Sequence, residues 1–320
     1  MNEIFISGFL NMLEALAKIF TVIIIAGLLV RKKVITQEQI TGLSKATVMV
    51  FLPALAFSST IKQFNPDALP YWWVVPLIGI AMSGIGFLLA AGVFAVDFKK
   101  KKNLIAVSSM QNAGYLVLPI GQVVYPERFD EFALITFLFI LGFNPLLWTL
   151  GKYLSTSNGQ HVKFTWKDLV TPPAVANILS LLIVLIGIQN IFPVFFVDAV
   201  GLAGEAAVPV ATFVLGATLG TVSLKKVPVF FDSIRVLLVK YLIIPGLTVF
   251  ILFYFEIYKI NPLLSDFFVI EAAAAPAVGL ILQCRTYGGD TDRVAAMMLI
   301  TYAVCLISLP LWIAFWHILI

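Results

Sequence analysis

Residues 106–122 read AVSSMQNAGYLVLPIGQ. The stretch is apolar enough to lie in a membrane, yet its centre carries Ser108, Ser109, Gln111 and Asn112, with Gly114 next and Pro119 further on. A continuous lipid-facing helix has no use for such a cluster, because buried amides cost free energy unless they are paired. The expectation is a helix broken near mid-membrane, whose second half starts with free N–H groups and a partial positive charge. Residues 269–283, VIEAAAAPAVGLILQ, reach the same end by other means: four alanines precede Pro276, and Gly279 follows. Small residues allow close backbone approach, and Pro276 leaves upstream carbonyls without donors.

The rest of the chain fits a membrane setting. Of 320 residues 61% are hydrophobic, only 12% are charged, and 27 are Phe. Soluble domains run nearer half apolar and a quarter charged, so the composition excludes a water-exposed globule and a disordered chain. Cys284 and Cys305, the two cysteines, cannot build a disulfide scaffold. A span needs about 20 mostly apolar residues. Ten such runs are expected, over 13–30, 43–61, 71–96, 104–124, 132–154, 173–189, 200–222, 227–258, 264–283 and 294–318. They do not alternate as barrel strands do. The first run is not read as a cleavable signal, since no charged segment precedes it and Arg31, Lys32 and Lys33 follow.

Charge sets the expected orientation. Sixteen of the 21 Lys and Arg fall in or beside the odd-numbered connections, including Arg31 to Lys33, Lys99 to Lys102, Lys163, Lys167, Lys225, Lys226, Arg285 and Arg293. The even connections hold Lys62, Arg128 and Lys259. The positive-inside rule then puts the odd loops in the cytoplasm and both termini outside a cell membrane. The formal charge of +4 is accounted for by this anchoring, with no nucleic-acid partner needed. The longest polar connection divides the chain into 1–154, a cytoplasmic linker over 155–172, and 173–320. Five spans per half is an odd number, so the halves insert in opposite senses, an architecture used by transporters. Pro53 to Phe57 (PALAF) and Pro209 to Phe213 (PVATF) are similar, as are Tyr125 to Asp130 and Tyr287 to Asp292.

Inverted-repeat carriers hold substrate where their broken helices meet. The substrate-binding candidates are therefore Gln111, Asn112, Gly114 and Tyr115 from the first break and Ala275, Pro276 and Ala277 from the second. Intramembrane carboxylates need a partner or a cavity, which makes Glu271 the first candidate for coupling a proton or Na+, with Glu205 and Gln283 as possible helpers. Lys240 has two readings, as counter-charge to a carboxylate or as a side chain snorkelling to the cytoplasm, the second being favoured. Glu14 and Lys18 are spaced to pair along one helix. Pro76, Pro245 and Pro310 are read as kinks, and His161 and His317 are not read as proton relays. No nucleophile with a partnered His, HExxH, P-loop or Cys/His metal spacing occurs, so an enzyme is not expected.

At these residues the chain resembles the auxin efflux carrier family, bacterial relatives of the plant PIN transporters. The carrying stretches are VFLPALAFSS (50–59), QNAGYLVLPIG (111–121), TPPAVANILSLL (171–182), VPVATFVLGATL (208–219) and EAAAAPAVGLILQCRTYGGD (271–290). The resemblance implies an all-α integral membrane fold of ten transmembrane helices in two inverted five-helix repeats, distantly like bile acid/sodium symporters. Helices 4 and 9 are then broken and crossing, beside a panel-like scaffold, and transport is elevator-like. It places the family's crossover asparagine at Asn112. Ala113 stands where plant carriers have proline, and no asparagine precedes Pro276. The implied activity is secondary active transport of a small organic anion, malate-, malonate- or auxin-like, driven by an ion gradient or the membrane potential. The alternatives are a ligand-binding sensor or scaffold with a carrier fold, and a passive uniporter or channel. Expected partners are a small carboxylate, membrane lipids and, by analogy of fold, a second copy in a homodimer. No cofactor beyond the coupling ion is implied.

Overall fold

The computed structural model describes residues 2–157, 165, 169–222 and 229–320. Among them the regular structure is helical, apart from one isolated bridge between Thr156 and Gly288. In chain order the segments are α1 (Asn2–Arg31), α2 (Gln37–Gln63), α3 (Val74–Val93), α4 (Ala95–Val124), α5 (Pro126–Ser155), α6 (Pro172–Ile186), α7 (Val194–Gly220), α8 (Phe230–Tyr254), α9 and α10 (Thr291–Leu319). The ninth consists of two pieces, α9a (Pro262–Ala273) and α9b (Gly279–Tyr287). Eight of the segments are long and apolar enough to cross a membrane, whereas α6 is apolar but has 15 residues. Backbone groups in hydrocarbon must be satisfied within the segment, and helices do that. Large apolar side chains such as Ile24, Leu88, Leu182 and Phe250 point outward, as lipid contact requires. The protein is an all-α integral membrane protein.

Several ends differ from the sequence reading. The first helix begins at Asn2, well before the expected 13; the preceding residues hold no proline, and Gly8 is accommodated within the helix. The second begins at Gln37 behind a capping box, in which Thr36 and Gln39 exchange side-chain and backbone bonds. The eighth stops at Tyr254, where Glu256 takes a left-handed conformation (φ 53°). His161, Lys163, Lys167, Lys225 and Lys226, and the expected start of the eighth run at 227, lie outside the described residues.

Three of the prolines leave the same mark, whereas Pro310 lies within α10 without a π turn. Three wide π-type turns, Thr47–Phe51, Ala113–Val117 and Val239–Ile243, precede Pro53, Pro119 and Pro245. Each contains the carbonyl four residues upstream of its proline, the group that loses its donor. At Tyr241 the freed carbonyl accepts from Trp312 Nε1 at 2.7 Å.

Two sets of helices pack side by side, and α1 touches both. In the first set α1 packs along α7, and on its other side along α10 of the second set, while α2 lies against α6 and α7. Contact there is backbone to backbone: a Cβ on Gly216 would lie 2.3 Å from the Ile23 carbonyl oxygen. The other group joins α3 to α4 and α5, and α9a to α8 and α10. There a Cβ on Gly142 would lie 1.8 Å from the Pro76 carbonyl oxygen. Arg31, Lys99 to Lys102, Arg285 and Arg293 gather at one end, where Arg293 meets the Lys100 carbonyl and Arg285 meets Thr221. We call that end the basic face. Near it Lys101 pairs with Asp232, which also faces Arg235, and Arg235 holds Asp97 at 2.7 Å. Glu14 and Lys18 pair at 2.9 Å on the exposed surface of α1.

Candidate functional site

Both expected breaks are present, and they touch. In α4 the helix stops at Ser109, Met110 and Asn112 take non-helical conformations, and a π turn restarts it at Ala113. In α9 the chain is unwound from Ala274 to Val278. The Ala277 N–H donates to the Met110 carbonyl at 3.3 Å, so each broken strand satisfies part of the other. Tyr302 of α10 completes the tie, accepting from Asn112 Nδ2 at 2.7 Å and donating to the Pro276 carbonyl at 3.1 Å. Cys305, one turn further along α10, lies 3.8 Å from the Ala273 carbonyl.

The polar cluster of α4 divides by role. Ser108 and Ser109 return their hydroxyls to Leu104 and Ile105 in the same helix, both at 2.8 Å. They serve the helix itself. Gln111 and Asn112 face the crossover. Gln111 Oε1 accepts from the Lys240 ammonium, and Gln111 Nε2 is buried with no hydrogen-bond partner. Lys240 is fully buried (0% exposed) in the π turn of α8. The snorkelling reading is therefore corrected: the bulge before Pro245 turns Lys240 inward, where Gln111 receives it. Glu271, at the last turn of α9a, is also 0% exposed, and neither carboxylate oxygen makes a hydrogen bond of normal geometry. The groups that face it electrostatically are the Lys240 ammonium and the Asn112 peptide.

A cavity of about 140 Å³ opens beside this cluster. Gln111, Asn112, Gly114, Tyr115 and Ala277 line it, together with Thr171 at the head of α6. The Thr171 hydroxyl is buried without a partner, like Gln111 Nε2. Two unsatisfied buried polar atoms in residues lining one cavity are costly unless something binds them. The remaining wall is mainly apolar, from α2 and α5, with Asn144 and Trp148 as its amphipathic members. The cavity thus lies between the two packed groups of helices.

Ala275 and Pro276 belong to the unwound segment but do not line the cavity. Gln283 and Glu205 lie apart from Glu271. Gln283 Nε2 donates to the Leu147 carbonyl at 3.0 Å and its Oε1 lies 3.5 Å from Ser155 Oγ. Glu205 is exposed and lines a polar cavity of about 590 Å³, with Lys62, Gln122, Arg128 and Asp130. Sequence reasoning missed Thr171, Tyr302 and Asn144. It also missed Asp266, which accepts from Tyr125 (2.7 Å) and Trp316 (3.0 Å) with His317 at 3.2 Å. A lone polar residue in an apolar run was the available signal for each, and such residues are too common to stand out without a partner.

Helices crossing a membrane and breaking at a shared, charged, internal site define a membrane transporter. The family model described as membrane transport protein matches residues 11–165 and 158–313. The chain belongs to that family, which is the auxin efflux carrier-like family its motifs resemble. It is 24% identical over 287 residues to an uncharacterized transporter of Methanocaldococcus jannaschii, covering 87% of this chain and 90% of that one. An uncharacterized transporter of Methanothermobacter thermautotrophicus is 24% identical over 95% of this chain and 98% of its own. Protein PIN-LIKES 1 of Arabidopsis thaliana is 25% identical over 168 residues, 48% of this chain and 34% of the relative.

Proposed function

We propose that the protein is a secondary active carrier of a small organic anion, with the carboxylate bound at the cavity beside the crossed breaks. The observation that carries this reading is the Lys240–Gln111 pair beneath that cavity. The ammonium holds Gln111 Oε1 and leaves the Gln111 amide N–H groups buried without a partner, as the Thr171 hydroxyl also is, and both residues belong to the cavity lining. A carboxylate entering there would supply the missing acceptor, close to a full positive charge. First-turn N–H groups at the restart of α4 add to these donors. A volume of about 140 Å³ suits a malonate- or malate-sized molecule.

Charge balance favours a proton as the coupling ion. The buried site holds one cation, Lys240, and one anion, Glu271. Each substrate carboxylate adds a negative charge and protonating Glu271 removes one, which leaves the site neutral with a monocarboxylate and one charge short of neutral with a dicarboxylate. Na+ at Glu271 would stand beside the ammonium, and two cations about 5 Å apart repel by about 3 kcal/mol at an effective dielectric of 20. Ten spans in two inverted repeats, 1–154 and 173–320 about a linker, with both termini outside the cell membrane, complete the proposal. Two family-model matches dividing near the linker, and the basic residues gathered on one face, support it. In an elevator cycle, the group holding the crossover would slide along the group formed by α1, α2, α6 and α7, with the cavity on the sliding surface.

Purified protein in liposomes, given radiolabelled malonate or malate under an imposed pH gradient, tests this. Asn112→Ala should abolish uptake while leaving folded protein. Glu271→Gln should remove the dependence on the pH gradient, and replacing Na+ by choline should change nothing. Unaltered kinetics in Asn112→Ala would overturn the site, and gradient dependence surviving Glu271→Gln would overturn the coupling role.

A further inference from the structure

At the basic face a second polar cavity, of about 300 Å³, lies well away from the crossover. Lys99, Lys100, Lys102 and Asn103 reach it from the start of α4, and Arg293 from the first turn of α10. Thr156, Ser157 and the Gly288–Gly289 turn close it. Among the described residues that line it, four are cations and one, Asp290, is a carboxylate, which caps α10 by accepting from the Arg293 N–H at 3.1 Å and lies 3.5 Å from Arg293 Nε.

Anchoring a helix end at a membrane surface needs basic residues but no concave site built from several segments, and no pairing of distant segments. Here Arg293 bonds the carbonyl of Lys100, 193 residues away, at 3.2 Å. The Asn103 side chain ties the walls to backbone: with its amide assigned so that donor meets acceptor, it donates to the Leu154 carbonyl at 2.6 Å and accepts from the Asp290 N–H at 2.9 Å. A Cβ on Gly289 would lie 2.2 Å from the Ser155 carbonyl oxygen, so only glycine lets that loop approach. Lys101, between the other lysines, turns away to Asp232. The sequence KKKK thus supplies three lysines to the cavity and one to a structural ion pair.

We infer that this pocket is a binding site for a phosphate group, a ligand independent of the transported substrate. Clustered Lys and Arg with hydroxyl and amide neighbours match a phosphate's charge and its several acceptor oxygens. The phosphate comes either from the headgroup of an anionic lipid in the adjoining leaflet or from a soluble phosphate. The pocket joins the start of α4, the end of α5 and the turn between α9b and α10, all within the group of helices that carries the crossover. A bound headgroup would tie that group to the leaflet surface.

Delipidated full-length protein in detergent, titrated with short-chain phosphatidic acid, short-chain phosphatidylcholine and inorganic phosphate and followed by native mass spectrometry, tests the site. Phosphatidic acid should bind and phosphatidylcholine should not. The triple variant Lys99→Gln, Lys100→Gln, Lys102→Gln should weaken phosphatidic acid by about 100-fold, and Arg293→Gln by about fivefold. A control triple variant, Lys32→Gln, Lys33→Gln, Lys45→Gln, removes the same charge elsewhere and should stay within about twofold of wild type. Competition by inorganic phosphate would assign the site to soluble phosphates as well; lipid binding without such competition would assign it to headgroups. Equal weakening by both triple variants, or equal binding of the two lipids, would overturn the inference, and monodisperse elution of each variant verifies that it is folded.

Discussion

Replacing Lys240 by Met isolates the energetics on which the proposed mechanism depends. Lys240 and Glu271 are both fully buried, and Glu271 has no hydrogen bond of normal geometry to replace the lysine's field. Removing one partner of a buried pair leaves an uncompensated charge, worth about 3–5 kcal/mol. Loss of the charge-assisted bond to Gln111 is part of that figure, since such bonds contribute about 1.5–3 kcal/mol. The double variant Lys240→Met, Glu271→Gln removes both charges and should return to within about 1 kcal/mol of wild type. With the ammonium gone and Na+ left out of the buffer, a proton is what neutralises Glu271 in the single variant. Its deficit should therefore deepen as pH rises, by up to about 1.4 kcal/mol per unit for one proton. Unfolding in mixed micelles, followed by tryptophan fluorescence at several pH values, measures all three proteins. A single variant within about 0.5 kcal/mol of wild type would refute the reasoning. So would a double variant no more stable than the single.

Two further outcomes follow from the packing. Tyr302→Phe strands the Asn112 amide and the Pro276 carbonyl, and should cost about 1–2 kcal/mol in the same unfolding assay; an unchanged midpoint would show that the hydroxyl does not tie the breaks together. Gly142→Val drives a side chain into the Pro76 backbone and should cost more than about 3 kcal/mol, read as loss of the monodisperse peak, whereas Gly84→Ala, with nothing within 4 Å of its Cβ, should elute as wild type.

Much of the site was legible because its residues break a strong local rule. Asn112 and Gln111 are amides in an apolar run, and Pro276 interrupts a run of alanines, so both breaks stood out without a structure. Ser108 and Ser109 looked equally polar and turned out to bond their own helix. Glu205 and Gln283 were nominated by type and nearness to a proline. Glu205 lies at a separate polar cavity, and Gln283 is held by α5. Lys240 was misread because a lysine on an isolated helix has a free route to the surface. Only the fold supplies Gln111, 129 residues away, as the partner that keeps it inside.

From its sequence alone this chain is an α-helical membrane protein with its basic residues partitioned and two of its helices interrupted. Those properties are local: hydrocarbon selects long apolar helices, and amides or proline interrupt them wherever they occur. Which polar groups meet is not local. The Ala277–Met110 bond, the Tyr302 tie and the Lys240–Gln111 pair each join segments far apart in the chain. Tertiary packing decided them, because in a dry interior a polar group must find whichever partner the fold brings within reach.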